Sequence, residues 1–269
     1  MTAEKPVSDL IRRHPEVETI LLRLLKEVRA ILGDRFLGLY LHGSLALGDF
    51  DHNRSDIDFV VATTGELSPE TISELAAMHR RLAAGASKWG SELEGTYIPR
   101  QALRRYDPAN AVFPHIERGG RLRVEQHHSD WLIQCYTLRR CGVTLAGPPP
   151  HTLLDPILPS VLRQAVLDLL WWWELQLEDT SRVEQSGYQA YAILTMCRIL
   201  YTMQHESIVS KPVAARWAQD YLEPHWGRLI GRALTWQPGE PLGALPETLA
   251  FIRHTLRQVR PDTAVPEAD

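Results

Sequence analysis

Cysteine is scarce in this chain: Cys135, Cys141 and Cys197 are the only three in 269 residues. They form no Cys-x-x-Cys pair. An odd, dispersed set excludes a disulfide framework and argues against a zinc site, so these read as buried thiols of a reducing cytoplasm, the compartment expected for the protein. Long apolar runs are also missing. No stretch approaches the ~18 residues needed to cross a bilayer, and residues 1–13 are too polar and charged for a secretion signal. No membrane partner is expected. Nor is there an excess of positive charge, since 29 Lys and Arg face 33 Asp and Glu for a net −4. Proteins that grip long nucleic acid by its phosphates carry a basic face. This balance points away from long nucleic acid and is compatible with a small cationic acceptor.

What is present suffices for a packed protein: 44% of residues are hydrophobic, and 23% charged rules out a disordered chain. Residues 17–32 carry apolar side chains at helical spacing (Ile20, Leu21, Leu24, Leu25, Val28) and stop at Gly33. Residues 36–42 (FLGLYLH) and 56–63 (DIDFVVAT) read as strands. A long helix is expected over 68–89, with Ser68 as N-cap and Pro69 at the first helical position. A third strand is expected over 92–99 and a weaker fourth over 121–126. The sequence Gly147-Pro148-Pro149-Pro150 punctuates the chain. Beyond Pro159 the pattern is helical throughout, over 160–178, 187–204, 209–221, 226–234 and 246–259. The expected fold is an α+β (α/β-like) N-terminal domain with a small mixed sheet, residues 1–155. An all-α helical bundle, residues 156–269, follows it, with a frayed tail from Pro261. Three consecutive tryptophans, Trp171 to Trp173, point in different directions on a helix and are expected mainly to fill the bundle and the domain interface, with acceptor stacking by one of them as the alternative.

The chemistry concentrates in residues 41–61, LHGSLALGDFDHNRSDIDFVV. A strand runs into Gly43-Ser44, and Asp56-Ile57-Asp58 heads the next strand. Side chains alternate along a strand, so Asp56 and Asp58 share one face while Ile57 and Phe59 enter the core. Adjacent carboxylates repel unless a cation holds them, and magnesium favours hard oxygen ligands shared with substrate phosphates. Gly43 lets backbone approach a phosphate. Ser44 adds a hydroxyl and an N–H at the start of a short helical turn, and Gly48 lets the chain bend back. Glu92 and Glu94 share a face of the third strand, opposite Leu93 and Tyr97. Glu94, deeper in the strand, is the candidate third metal ligand and general base.

The Gly43-Ser44 and Asp56-x-Asp58 pattern resembles the DNA polymerase β-like nucleotidyltransferase superfamily. Within it, the whole chain is similar to the streptomycin/spectinomycin adenylyltransferases. Two further patches carry that resemblance. Leu93-Glu94-Gly95-Thr96 resembles the family's Leu-Glu-x-Thr strand. Residues 193–198 (ILTMCR), with Ile208, Lys211 and the run 214–218 (AARWA), resemble the helical domain. The resemblance implies a cytoplasmic nucleotidyltransferase that moves AMP from ATP to a hydroxyl of an aminoglycoside or aminocyclitol antibiotic. It implies two Mg2+ ions on Asp56, Asp58 and Glu94, these three being the catalytic carboxylates, and a monomer. Gly43, Ser44, Ser55, Lys211 and Arg198 would bind the nucleotide, with Lys211 on the triphosphate.

Two departures bear on the acceptor. Where the streptomycin enzymes carry an acidic residue, about nine positions before the cysteine of the helical run, this chain has Tyr188. Their drug-contacting tryptophan has no counterpart in residues 114–126. Adenylyl transfer is therefore better supported than streptomycin as acceptor. Glu174, Glu178 and Glu184 are acidic residues that could face a cationic acceptor, although a solvated helix face is the simpler reading of each. The alternatives are the same chemistry on another metabolite or a protein side chain, and a non-catalytic nucleotide-binding regulator.

Overall fold

The computed structural model describes residues 9–260; the tail from Pro261, expected to fray, lies outside them. The chain divides into two compact units between Ile157 and Leu158. The first contains α1 (Asp9–Arg12), α2 (Pro15–Leu32), β1 (Phe36–Leu41), α3 (Gly43–Leu47), β2 (Ile57–Thr63), α4 (Pro69–Ala83) and β3 (Leu93–Pro99). It continues with α5 (Arg100–Arg104), β4 (Val112–Glu117), β5 (Arg121–Gln126), α6 (Asp130–Cys141), β6 (Val143–Ala146) and α7 (Pro150–Leu153). The strands form one mixed sheet in the order β5-β4-β3-β2-β1-β6. The β2–β3 pair is parallel and every other pair antiparallel. A parallel pair needs a crossover connection, which α4 supplies.

Alternation along the strands gives the sheet two apolar faces. Leu39, Leu41, Ile57, Phe59, Val61, Leu93 and Tyr97 pack with the buried stripes of α2 and α4. Tyr40, Val60, Ala62, Ile98 and Phe113 pack on the opposite face with Leu103, Trp131, Cys135, Leu138 and Leu153. Burying each large apolar side chain contributes roughly 1.5–3 kcal/mol. This second face also carries Asp58 and Glu94, which follow the same parity as Val60 and Thr96. The site is thus the polar margin of a core layer.

The mixed sheet and helical second unit agree with the expected fold class, while several elements differ in extent. The helix read over 68–89 stops at Ala83, and Trp89 sits buried in a separate 3-10 turn, Lys88–Gly90. The intervening Gly85 and Ser87 weaken helix, and Ser87 Oγ accepts the Trp89 N–H at 3.3 Å. Two strands were not expected. β6 is a four-residue edge strand beside the Gly147-Pro148 stop. β4 contains Pro114, and its pairing with β3 is confined to His115 and Ile116, the residues after the proline.

The second unit contains α8 (Pro159–Asp168), α9 (Leu170–Glu178), α10 (Ser186–His205), α11 (Lys211–Tyr221), α12 (Pro224–Thr235) and α13 (Leu245–Val259). α10 is its centre, packed against α8, α11, α12 and α13, and is apolar on several sides (Ala190, Ile193, Met196, Cys197, Leu200) as a surrounded helix must be. The helix read over 160–178 is two helices, parted at Leu169. Leu169 stays near the helical basin, φ −90° and ψ −6°, so the apolar period passes through the break. Of the three tryptophans only Trp173 is buried. Trp171 is 46% exposed, and Trp172 lies under the Arg182 guanidinium at 5.2 Å. Among the described residues no helix is long and apolar enough to cross a membrane.

Candidate active site

The parallel β2–β3 ladder sets the geometry. Asp58 is the register partner of Glu94, and Ile57 that of Leu93. Register partners in a sheet direct their side chains to the same face, so the two carboxylates are neighbours. Asp56 and Glu92 stand one step outside the first residues of the two strands, where the Ile57 N–H donates to the Glu92 carbonyl at 2.9 Å. All four acids therefore lie at the amino ends of the two parallel strands.

Gly43 meets this group from the end of β1. The His42 N–H donates to the Asp58 carbonyl at 3.1 Å, which locks the Gly43-Ser44 corner onto β2. Gly43 has φ +60°, and a Cβ built on it would stand 1.7 Å from Asp58 Oδ2. The glycine is required twice over, for its left-handed backbone and for the carboxylate lying against it. Ser44 is the second residue of α3, and its Oγ is enclosed with no hydrogen-bond partner. A buried hydroxyl without a partner is costly, and a phosphate oxygen would satisfy it. Gly48, at φ +78°, ends α3. Ser55, expected at the nucleotide, sits just before Asp56. Its Oγ accepts the Asp51 N–H at 3.0 Å and orders the turn leading into β2.

A residue that the sequence reading missed touches the carboxylates directly. Arg118, at the tip of the β4–β5 hairpin, donates from Nη2 to Asp56 Oδ2 at 2.9 Å and lies with Nε 3.4 Å from Glu92 Oε2. The dipeptide Gly119-Gly120 after it is a turn signal that would have revealed the hairpin, had Pro114 not hidden β4. Glu92, which shares a strand face with Glu94, is here a partner of Arg118.

Farther along the same face lies a floor of histidines. His115 Nδ1 is 2.9 Å from Thr96 Oγ1, and its ring meets the His127 ring edge-on at 5.4 Å. Burial pushes His42 down to about 4 against the opposing influence of Asp56. His127 is also lowered to about 4, mainly by burial, and His115 is lowered by burial against Glu125, Glu117 and Asp130. Burial thus favours the neutral form of these rings at pH 7.

Lys211 and Arg198 belong to the second unit. Lys211 opens α11 after the N-cap Ser210, with its Nζ 4.2 Å from the centre of the Tyr191 ring. Arg198 lies on α10, half-buried. Tyr188 packs against Trp173 and Tyr191, with ring centres 6.4 and 5.5 Å away. Glu174 pairs with Arg260, and Glu184 accepts from Thr180 Oγ1 at 3.3 Å.

Among the described residues, no three or more His, Cys, Asp or Glu side chains are gathered closely enough to hold a metal ion alone. Magnesium does not require such a cage, because it is ordinarily bound by one or two carboxylates together with substrate phosphates. Hard oxygen donors on one face, a glycine seat for one of them and an unpartnered serine hydroxyl fit a magnesium–nucleotide pair.

Comparison with known proteins follows the same division of the chain. Residues 22–96 match the family model "Nucleotidyltransferase domain", and residues 152–258 match "Aminoglycoside adenylyltransferase, C-terminal domain". A spectinomycin 9-adenylyltransferase of Staphylococcus aureus (strain Mu50 / ATCC 700699) is 28% identical over 232 residues, covering 81% of this chain and 84% of the relative. An aminoglycoside (3'') (9) adenylyltransferase of Shigella flexneri is 27% identical over 226 residues, covering 80% and 83%. The fold is shared with the crystal structure of spectinomycin adenyltransferase AAD(9) from Enterococcus faecialis with ATP and spectinomycin. The TM-score is 0.69 at 20% identity, covering 89% of this chain and 99% of that one. Two family models in the order of the two units, and relatives spanning most of both, support placing the chain with the aminoglycoside adenylyltransferase-like proteins of the nucleotidyltransferase superfamily.

Proposed function

We propose that the protein transfers AMP from ATP to a hydroxyl of a small cationic aminoglycoside or aminocyclitol antibiotic, with spectinomycin ahead of streptomycin. One juxtaposition carries the chemistry: Asp58 lies in register with Glu94 and directly against the side-chain-free Gly43 beside Ser44. The acceptor class rests on the names of the relatives. Spectinomycin comes first because Tyr188 replaces the acid that the streptomycin enzymes carry. An aromatic residue packed among Trp173 and Tyr191 offers no carboxylate to a guanidinium-bearing drug.

In this reading Asp56, Asp58 and Glu94 hold two magnesium ions, which when bound would supply charge neutralisation at the phosphates and acidify the acceptor hydroxyl. Ser44 Oγ donates to a phosphate oxygen, ending its isolation. Lys211 and Arg198 bind the β- and γ-phosphates, where charge accumulates as pyrophosphate departs. A Glu94 carboxylate oxygen takes the acceptor's hydroxyl proton as the new bond forms to the α-phosphorus. Nothing in this scheme requires a second protomer, long nucleic acid or a membrane, and we place the enzyme in the cytoplasm as a monomer.

The test is pyrophosphate release from ATP and magnesium with spectinomycin, streptomycin or no acceptor, with Asp58→Asn run in parallel. Release that depends on spectinomycin and falls by about a thousandfold or more in the variant supports the proposal. Release with streptomycin alone would replace the acceptor. Tight ATP binding without release for any acceptor would sink the enzymatic reading in favour of a nucleotide-binding protein.

A further inference from the structure

Arg118 has no assigned part in the reaction above, yet it is the side chain seen in contact with two of the four acids. Its guanidinium reaches Asp56 at 2.9 Å and Glu92 at 3.4 Å, and all three side chains remain partly accessible, 47%, 30% and 31% exposed respectively. The contact is built by the backbone. Gly119 N–H donates to the Ser91 carbonyl at 2.8 Å, which ties the hairpin tip to the residue before Glu92. Gly120, at φ +79°, lies so close to the end of α4 that a Cβ on it would stand 2.7 Å from Ala83 Cβ and 3.1 Å from the His79 carbonyl oxygen. Arg118 is therefore held over the amino ends of β2 and β3 by a pinned turn.

We infer that Arg118 is a positioning residue that serves as the resident counter-ion of Asp56 and Glu92, and that a divalent cation must displace its guanidinium from Asp56 to bind. The inference rests on the reading of Asp56 as a metal ligand. Two carboxylates brought together at the ends of adjacent strands repel each other, and a fixed cation relieves that cost when no metal is bound. The same cation opposes entry of a divalent ion, since both compete for Asp56. Because the pairs are exposed, the guanidinium can be displaced without unfolding anything. Metal affinity at this site is thus set below what the carboxylates alone would give, so that the metal binds well only when it arrives with the phosphates of a nucleotide.

The experiment is a Mn2+ titration of the nucleotide-free full chain, followed by electron paramagnetic resonance of the free ion, for wild type, Arg118→Gln, Arg118→Lys and Asp58→Asn. Removing the resident cation should tighten Mn2+ binding by about three- to tenfold in Arg118→Gln. Arg118→Lys, which keeps the charge but not the fork, should stay near wild type. With a non-hydrolysable ATP analogue present, the gap between wild type and Arg118→Gln should narrow. Equal or weaker Mn2+ binding by Arg118→Gln, with Asp58→Asn still impaired, would overturn the role of Arg118 and leave the metal site standing. Mn2+ binding that is absent, or indifferent to Asp58→Asn, would overturn both.

Discussion

At the scale of single residues, Gly43 and Ser44 make opposite and separable demands. A methyl group at position 43 must adopt φ +60° and contend with Asp58 Oδ2 at 1.7 Å. Gly43→Ala is expected to cost about 1–3 kcal/mol of stability in denaturant unfolding, through backbone strain and the displaced carboxylate. Pyrophosphate release should fall about a hundredfold or more while far-ultraviolet circular dichroism is unchanged. Activity within a few-fold of wild type would mean that Asp58 is not placed by this contact. Ser44→Ala deletes an enclosed hydroxyl that has no partner. Stability should hold or rise, by up to about 1 kcal/mol, while KM for ATP increases; a clear loss of stability would contradict that account. These residues were legible in the sequence because a strand's alternation and a glycine–serine corner are local patterns. Arg118 was not, since Asp56 and Glu92 are remote in sequence and meet it only through strand pairing.

Between residues and the whole molecule stand the elements, whose ends decide where charged groups sit. α11 begins at Lys211 because Ser210 caps it, its Oγ accepting the Val213 N–H at 3.4 Å. Ser210→Ala should cost roughly 0.5–2 kcal/mol. It should also raise KM for ATP with little change in kcat, if Lys211 meets the triphosphate; unchanged KM would place the nucleotide elsewhere. Element type was readable wherever the apolar period was long, as in α2 and α10, and wherever a short apolar run filled a central strand, as in β1 and β2. The misses have separate causes. Pro114 obscured β4, shortness obscured β6, and the nearly helical Leu169 hid the break between α8 and α9.

For the molecule as a whole, acid sensitivity follows from histidines folded in neutral form. Burial lowers both His42 and His79 from 6.5 to about 4, and His79 also bonds the Tyr97 hydroxyl at 2.7 Å. Between these values the unfolded chain binds more protons than the folded one, so stability declines as pH falls from about 7 toward 4. From pH 7 to pH 5 each histidine should contribute a loss of about 2 kcal/mol, measurable by denaturant unfolding at the two values. A flat profile would show that these rings are not held neutral. The parallel pairing of β2 with β3 has a consequence of a different kind, in the order of assembly. β1 with β2 carries Gly43, Ser44, Asp56 and Asp58, whereas the meander of β3, β4 and β5 carries Glu92, Glu94 and Arg118. Each group can pair within itself, but joining them requires the crossover through α4 to close. Neither half alone holds a working set of acids. Refolding protein should therefore regain β-sheet signal before it regains turnover, the delay being the time taken to zip the seam.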